Sequence, residues 1–375
     1  MRILFVATKT DPFNLNTGSG SDYQFYQAFK KMGAEIKVIG PFHDSPSLIE
    51  RTYRKILCSV TTRRVAKFSM QLLRESASEV QRAVADFQPD LIFSRNLAGL
   101  VRCRTHVPIV YRFDTTLIGI KEQWNIFSDI EINRMIAWEK NVLKKTALAI
   151  THSTWSENIL INSYHFPKDK ILVFPNPASL PEPFYSEPVT IPERIGVPIH
   201  LLLVGKNGRR KGLDIAIRTT ELLNQSGIPT ELHIVGLLGE NTPTIKYYGY
   251  YDKTIPEQLQ NYLDHYRWAH LLIHPARFEA AGIVPSEAAI FGVPTITNAV
   301  GGLATTVAHN ISGIVLSKDS PAELYATTIK ELYKNPIAYH RLCQTTRQRY
   351  IHELNWRVNQ DILQKALENM LEHKK

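Results

Sequence analysis

The chain has 375 residues, of which 44% are hydrophobic and 21% are charged. This length favours two domains over one, and the composition excludes a disordered chain. The formal net charge of +9 favours phosphate-bearing ligands, anionic membrane surfaces or nucleic acid, but no recognised nucleic-acid-binding module is present. No apolar run approaches the roughly 20 residues that span a bilayer. Three widely spaced cysteines fit no metal-ligand pattern and indicate a reducing, cytoplasmic setting: Cys58, Cys103 and Cys343.

Short apolar runs alternate with helical patterns through the first half of the chain. The predicted strands are residues 3–7, 35–39, 91–94, 109–111, 147–151 and 171–174. The predicted helices are residues 22–32, about 66–87 and about 129–145. Strands that alternate with helices predict an α/β fold, with a parallel sheet covered by helices on both faces.

A proline-rich stretch separates this half from a second alternating series. Seven of the residues from 175 to 198 are proline, which predicts a stiff linker. The sequence therefore predicts domains at 1–180 and 199–352, with the linker at 181–198. A final helix within 353–375 is apolar on one side and needs a surface to pack on, which we expect to be the N-terminal domain.

The second series carries the most informative motif, in residues 274–294. A predicted buried strand ends at His274, a turn carries Glu279, and Glu287 follows in the first turn of a helix, where a carboxylate suits the helix dipole. The backbone N–H groups before this helix are placed to meet the phosphates of a ligand. They belong to Gly282, Ile283 and Val284.

This segment resembles glycosyltransferase family 4 (the glycosyl transferases of group 1), whose signature has two glutamates separated by seven residues. The resemblance extends into residues 298–302 and 309–313 and covers nearly all of the second half. It implies that Glu279 binds donor-sugar hydroxyls and that Glu287 binds the nucleotide ribose. It also implies the GT-B architecture, in which two Rossmann-like, doubly wound domains face each other across a cleft.

A basic loop after the strand at 200–205 supports the resemblance. The family has arginine just after a glycine and lysine about five positions later, both on the donor diphosphate; here Gly205 is followed by Lys206 and then Lys211. Lysine supplies charge but no bidentate fork. Arg209 or Arg210 is therefore a further candidate for the diphosphate.

A third element lies near the N-terminus, where Gly18 and Gly20 precede a helix and resemble the glycine loop of the family. A dinucleotide-binding fingerprint would require glycine where Tyr23 stands, which weakens the dehydrogenase alternative. Many family members carry His-Asp after the fourth strand of the first domain. Here Phe113 replaces the histidine and Asp114 follows it.

Candidates for the acceptor side are Arg112 and His152. Arg112 lies beside Asp114, and His152 directly follows the next predicted strand. A lone histidine is more often a structural hydrogen-bonding group. The catalytic candidates are Glu279, Lys206, Lys211 and Asp114.

The resemblance implies a metal-independent, retaining hexosyltransferase with no cofactor and a UDP- or GDP-linked sugar as co-substrate. It would act on a carbohydrate, lipid-linked or small-molecule acceptor, in carbohydrate or glycolipid biosynthesis. The alternatives are a sugar-nucleotide epimerase or hydrolase of the same fold and a non-catalytic sugar-nucleotide-binding protein.

The basic segment 51–67 interleaves six lysine and arginine residues with apolar ones. It predicts either a peripheral contact with the anionic inner face of a membrane or a solvated helix face over the core.

Overall fold

The computed structural model describes residues 1–7, 10–61, 63, 68–124, 126–181 and 188–372. The chain forms two compact units, the first made of Met1–Phe174 with Gln360–Lys375 and the second of Pro175–Asn359. We call them unit 1 and unit 2. The domain limits given above from composition stay a prediction.

Unit 1 is built on a parallel six-stranded sheet. Its strands are β1 (Arg2–Val6), β2 (Glu35–Ile39), β3 (Leu91–Ser94), β4 (Ile109–Phe113), β5 (Thr146–Thr151) and β6 (Ile171–Val173). The strand order is β2-β1-β3-β4-β5-β6. The central strands are rich in apolar residues because helices cover both faces of a doubly wound sheet, and β3 and β4 are buried along their whole length.

The helices of unit 1 follow its strands. They are α1 (Ser21–Lys31), α2 (Leu48–Thr61), α3 (Met70–Phe87), α4 (Ala98–Val101), α5 (Leu117–Gln123), α6 (Asp129–Leu143) and α7 (Thr154–Tyr164). Serine side chains cap the N-termini of α3, α6 and α7, where Ser69, Ser128 and Ser153 each accept a backbone N–H. Helices α4, α5 and α7 are additions to the sequence prediction.

The basic segment 51–67 is not a single structural element. Helix α2 begins at Leu48, upstream of the segment, and ends at Thr61. Arg64, Val65 and Lys67 lie outside the described residues.

Unit 2 contains a second parallel six-stranded sheet, with strand order β12-β11-β10-β7-β8-β9. Its strands are β7 (Ile199–Val204), β8 (Thr230–Val235), β9 (Ile245–Tyr247), β10 (Leu271–His274), β11 (Thr295–Asn298) and β12 (Gly313–Leu316). Its helices are α8 (Gly208–Lys211), α9 (Leu213–Gln225), α10 (Pro256–Trp268), α11 (Val284–Ile290), α12 (Leu303–Thr306), α13 (Ala322–Lys334), α14 (Pro336–His352) and the start of α15 (Trp356–Glu372). Two doubly wound sheets confirm the predicted fold class.

The described part of the proline-rich stretch packs on unit 2 and does not stand free of it. The Ala178 N–H donates to the Leu354 carbonyl at 3.1 Å, and Leu180 and Ile195 are buried in the cores of unit 2. Proline alone predicted a linker because it reports backbone stiffness and not burial.

Helix α15 joins the two units in sequence. From Gln360 onward its residues group with unit 1, where Leu363 and Leu367 are buried. The apolar face predicted for the final helix is therefore covered. Among the described residues, no helix has both the length and the hydropathy that crossing a bilayer requires.

Candidate functional site

The site residues of unit 2 follow β7 and β10, which are neighbours in the sheet. Their loops meet because the carboxyl ends of parallel strands lie at the same edge. Helix α8 ends at Gly212, which has a φ of +69°, and a Cβ there would lie 2.0 Å from the Pro275 carbonyl oxygen. Only glycine permits this approach, and the approach brings Lys211 against Glu279.

Glu279 lies in a buried cluster of basic side chains. Its Oε2 contacts the Lys211 ammonium, the Arg210 Nη1 at 3.1 Å and the His274 Nε2 at 3.6 Å. No partner for the Oε1 atom exists among the described residues. This second oxygen is therefore available to accept a hydrogen bond from a ligand hydroxyl.

Burial is the largest single influence on Glu279 and opposes its ionisation, but the charge of Lys211 together with His274 and Arg210 outweighs it and holds the pKa of this carboxyl well below its usual range. Burial also lowers the pKa of Lys211, while the Glu279 charge acts in the opposite direction. The pKa of His274 is lowered to about 4 by burial and by the nearby Lys211. At neutral pH the cluster thus contains a carboxylate, two cations and a neutral imidazole.

The second carboxylate of the motif, Glu287, is buried on α11 and has three donors. Lys253 Nζ lies 2.6 Å from its Oε1, and the hydroxyls of Tyr262 and Tyr266 donate to Oε2 at 2.5 and 2.9 Å. Burial and the Glu287 charge raise the pKa of both tyrosines far above the ordinary value, so their hydroxyls remain donors.

The three donors to Glu287 were absent from the sequence prediction. Tyr262 and Tyr266 are four residues apart on α10 and therefore share a helix face, but the sequence does not show which element that face meets. Lys253 lies in the loop before α10, where nothing in the local pattern distinguishes it from a solvated lysine.

Lys206 lies near the same site but is exposed. Its ammonium sits 3.9 Å from the centre of the Tyr250 ring, and its pKa is lowered by partial burial and by the charge of Lys253. The repulsion between the charges of Lys206 and Lys253 favours the binding of an anionic ligand near them.

Of the two arginines left open by the sequence, Arg210 is the one that reaches Glu279. The carbonyl of Arg209 instead accepts a bond from the Arg277 guanidinium at 3.0 Å. The backbone N–H groups of Gly282, Ile283 and Val284 stand at the start of α11, as expected; that they bind phosphate stays a prediction.

The site residues of unit 1 form a second polar cluster at the ends of β4 and β5. Asp114 pairs with the Arg112 Nη2 at 2.7 Å and with the Arg95 Nη2 at 2.6 Å. The Arg112 Nε donates to the His152 Nε2 at 3.0 Å, and the His152 Nδ1 lies 3.0 Å from the Phe174 carbonyl oxygen. Because Nε2 accepts, the proton of this imidazole lies on Nδ1 and is donated to that carbonyl.

The pKa values of this cluster follow from its burial and its charges. Burial and the Arg112 charge lower the pKa of His152 to about 3, and burial lowers the pKa of Arg112 to about 10. Despite burial, the two arginines hold the pKa of Asp114 well below its ordinary value. At neutral pH Asp114 is therefore ionised and His152 neutral.

That Arg112 and His152 contact an acceptor stays a prediction. Both residues are 0% exposed, whereas the Asp114 side chain is 28% exposed. The two buried groups hold the carboxylate in place, and the carboxylate is the group that a ligand can reach.

Phe113, in the position of the expected histidine, points to the opposite face of the sheet. It is buried in the apolar core with Tyr111, at a distance of 4.9 Å between ring centroids. Alternating side chains along a strand place Arg112 on one face and Phe113 on the other.

The glycine loop lies against the same cluster. Gly18, Ser19 and Gly20 all have left-handed backbone conformations, with φ of +55°, +59° and +76°. A Cβ at Gly18 would lie 2.7 Å from the Arg95 Nη1, so glycine lets this arginine lie beside the loop. Within the described ranges, no group of three histidine, cysteine, aspartate or glutamate side chains is arranged to hold a metal ion.

Family models match both halves of the chain. Residues 23–180 match the model described as Glycosyltransferase Family 4, and residues 193–349 match Glycosyl transferases group 1. A curated relative, the D-inositol 3-phosphate glycosyltransferase of Xylanimonas cellulosilytica, is 28% identical over 212 residues, which are 50% of this chain and 49% of that protein. The chain thus spans about half the length of this relative.

Two solved structures share the fold along essentially the whole chain. Sucrose-phosphate synthase from Thermosynechococcus elongatus superposes with a TM-score of 0.70 at 17% identity and covers 100% of both chains. The Anabaena protein HepE in complex with UDP-glucose superposes with a TM-score of 0.65 at 18% identity, over 98% of this chain and 100% of its own.

Proposed function

This chain belongs to glycosyltransferase family 4, and we propose that it transfers a hexose from a nucleoside-diphosphate sugar to a hydroxyl acceptor. The observation that carries the proposal is the arrangement of Glu279. This buried carboxylate is held ionised through one oxygen, while its other oxygen is available to a sugar hydroxyl. Cations on neighbouring loops suit the diphosphate of such a donor.

The reaction we propose retains the configuration of the donor sugar and needs no metal. The bond from the anomeric carbon to the diphosphate oxygen breaks, and the acceptor oxygen forms a new bond on the same face. The acceptor proton passes to the leaving phosphate. Lys211, Arg210 and Lys206 stabilise the negative charge that develops on the diphosphate.

Asp114 is proposed to orient the acceptor hydroxyl by accepting a hydrogen bond. A general base works best with a pKa near the operating pH, and the two arginines hold the Asp114 pKa far below it. This carboxylate is thus suited to positioning, and the leaving phosphate is the better proton acceptor.

We propose a UDP- or GDP-linked donor, in keeping with the UDP-glucose complex of HepE. The acceptor class we propose is a carbohydrate, lipid-linked or small-molecule hydroxyl. We also propose that the protein acts in the cytoplasm and touches the anionic inner face of the membrane through the region 51–67, since its excess positive charge favours such a surface.

The first test is a thermal-shift screen against UDP-, GDP-, ADP- and TDP-linked sugars, with wild type and Glu287→Ala. We expect one nucleotide family to raise Tm for the wild type and not for the variant, because Glu287 is expected to bind the ribose. Glu221→Ala, at an exposed glutamate on α9, is the matched control and should respond like wild type. No stabilisation by any donor at millimolar concentration would contradict the proposed site.

A second measurement separates transfer from the alternatives. The donor that stabilises the protein is incubated with and without a panel of hydroxyl acceptors, and the products are analysed. Acceptor-dependent release of nucleoside diphosphate supports transfer. An isomerised or hydrolysed sugar without acceptor would indicate the epimerase or hydrolase, and binding without turnover would indicate a non-catalytic protein.

A further inference from the structure

Helix α2 presents an apolar surface to solvent. Five of its large apolar side chains are exposed: Leu48 by 79%, Ile49 by 84%, Tyr53 by 39%, Ile56 by 59% and Val60 by 77%. Exposed apolar residues are ordinary when scattered singly, but a group of them on one element marks an interaction surface.

Four of these side chains form one continuous stripe. Ile49, Tyr53, Ile56 and Val60 follow one another at intervals of four, three and four residues, which places them on one face of a helix. At 1.5 Å per residue the stripe is about 16 Å long. We call these four residues the α2 stripe.

The rest of the molecule holds α2 with the stripe outward. Glu50 accepts the Met70 N–H at 2.8 Å, and Arg54 pairs with Asp44, which itself accepts the Ser69 N–H at 2.8 Å. Leu57 is buried on the same inward side. Turning the helix to bury the stripe would break these polar contacts, so exposure of the stripe is built into the packing.

The exposed side of α2 that helical spacing places opposite the stripe carries uncompensated positive charge. Arg51 and Lys55 are exposed, and neither has an acidic partner among the described residues; the Arg51 Nε donates only to the Pro46 carbonyl, at 3.0 Å. Glu50 is the only acidic residue of the helix, and its carboxylate is engaged in capping contacts. An apolar stripe on a cationic helix complements an anionic lipid surface better than it complements a neutral protein face.

We infer that the α2 stripe inserts into the interfacial region of an anionic phospholipid bilayer, with Arg51 and Lys55 at the headgroups. The inference rests on the peripheral contact proposed above and makes it specific: the contact lies on Leu48–Thr61 and includes apolar insertion. It does not depend on the transfer reaction. Tyr53, with an apolar ring and a polar hydroxyl, suits the headgroup boundary.

The test is co-sedimentation of the full chain with vesicles of phosphatidylcholine containing phosphatidylglycerol, and with vesicles of phosphatidylcholine alone. The stripe variant is Ile49→Gln with Ile56→Gln. We expect its partitioning onto anionic vesicles to fall at least about tenfold, since two apolar side chains no longer leave water. The matched control is Ile130→Gln, at a residue of the same unit that is 64% exposed on α6, and it should bind like wild type.

A charge variant, Arg51→Gln with Lys55→Gln, separates the two parts of the inference. We expect it to weaken binding to anionic vesicles at low salt. If this variant and high salt abolish binding while the stripe variant binds like wild type, the contact is purely electrostatic and insertion is wrong. If the wild type binds no vesicles, both insertion and the peripheral contact are wrong.

The stripe could instead join two copies of the chain, and sedimentation velocity decides this. A concentration-dependent dimer that the stripe variant loses, without vesicle binding by the wild type, would overturn the inference. Donor-induced thermal shifts measured on the same variants keep this outcome distinct from failure of the transferase proposal, because α2 lies outside the donor site in unit 2.

Discussion

At the scale of single residues, the pair of Lys211 and Glu279 is the most consequential feature of unit 2. A buried ion pair costs desolvation energy and is maintained only when further polar contacts satisfy it. Arg210 and His274 supply those contacts. Such a pair is weak evidence for stability and stronger evidence for a site, because strongly perturbed groups collect where chemistry occurs.

We predict that Lys211→Met lowers donor turnover by about 10²–10³-fold, the usual cost of losing one preorganised charge in a transition state. Methionine retains most of the apolar stem, which packs against Gly205. Without the ammonium, the pKa of Glu279 rises, since the Lys211 charge is the main influence that lowers it. The measurement is kcat together with Tm.

The matched control for this variant is Lys206→Met. Lys206 is exposed, so its charge is screened by water and its loss should cost less turnover. Full turnover in Lys211→Met would remove this lysine from the mechanism.

At the scale of elements, the junction between α8 and α9 sets the geometry of the donor side. Gly212 allows the helix pair to lie directly on the carbonyl of Pro275, and Lys211 precedes it. The position of the lysine therefore depends on a backbone approach that any side chain would prevent.

We predict that Gly212→Ala costs unit 2 at least about 3 kcal/mol and abolishes donor-induced stabilisation, because the Cβ would meet backbone and not a movable side chain. The measurements are the free energy of unfolding and the donor thermal shift. Gly227→Ala is the matched control: its φ of +78° is similar, but no atom lies within 4 Å of the added Cβ. That variant should cost only about 1 kcal/mol and bind donor normally. Equal effects of the two substitutions would show that the clash is unimportant.

At the scale of the whole molecule, buried and half-buried histidines make the two units respond differently to acid. In unit 2 burial lowers the pKa of His233 to about 3 and of three others to about 4, namely His265, His270 and His274. The unfolded chain binds these protons near pH 6.5. Each histidine thus contributes stability that is present above pH 6.5 and is lost as the pH falls toward the folded pKa, by up to about 1.4 kcal/mol per pH unit.

Unit 1 contains opposing contributions. The pKa of His152 is lowered to about 3, so the stability that this neutral histidine contributes to unit 1 is also lost in acid. Burial raises the pKa of Glu139 to about 7, even though Tyr164 and the Leu117 N–H donate to it. The stability that Glu139 contributes to unit 1 is fully present below the ordinary pKa of a glutamate and is lost as the pH rises through about 7. Acidification therefore stabilises unit 1 through Glu139.

We therefore predict that unit 2 loses stability before unit 1 as the pH falls from 7.5 to 5. Hydrogen exchange, corrected for the intrinsic effect of pH, should show β7, β8 and β10 losing protection earlier than β1, β3 and β4. Simultaneous loss in both units would contradict this division. Glu139→Gln provides a check within unit 1, because it should remove the stabilisation that acid gives.

The sequence by itself determined the two parallel sheets, the strand–turn–helix setting of Glu279 and Glu287, and the basic loop after β7. These features follow from hydrophobic periodicity and from glycine and proline signals, which neighbouring residues encode locally. The roles of individual side chains in the donor site stay predictions.

Only the tertiary structure decided which side chains meet. It brought Lys253, Tyr262 and Tyr266 to Glu287 and Arg210 to Glu279. It also buried Arg112 and His152 behind Asp114. It also left the α2 stripe exposed, although the same periodicity would have suited a buried helix face. The physical reason is that burial and pairing depend on elements far apart in the chain, and a local pattern shows that a face exists without showing what covers it.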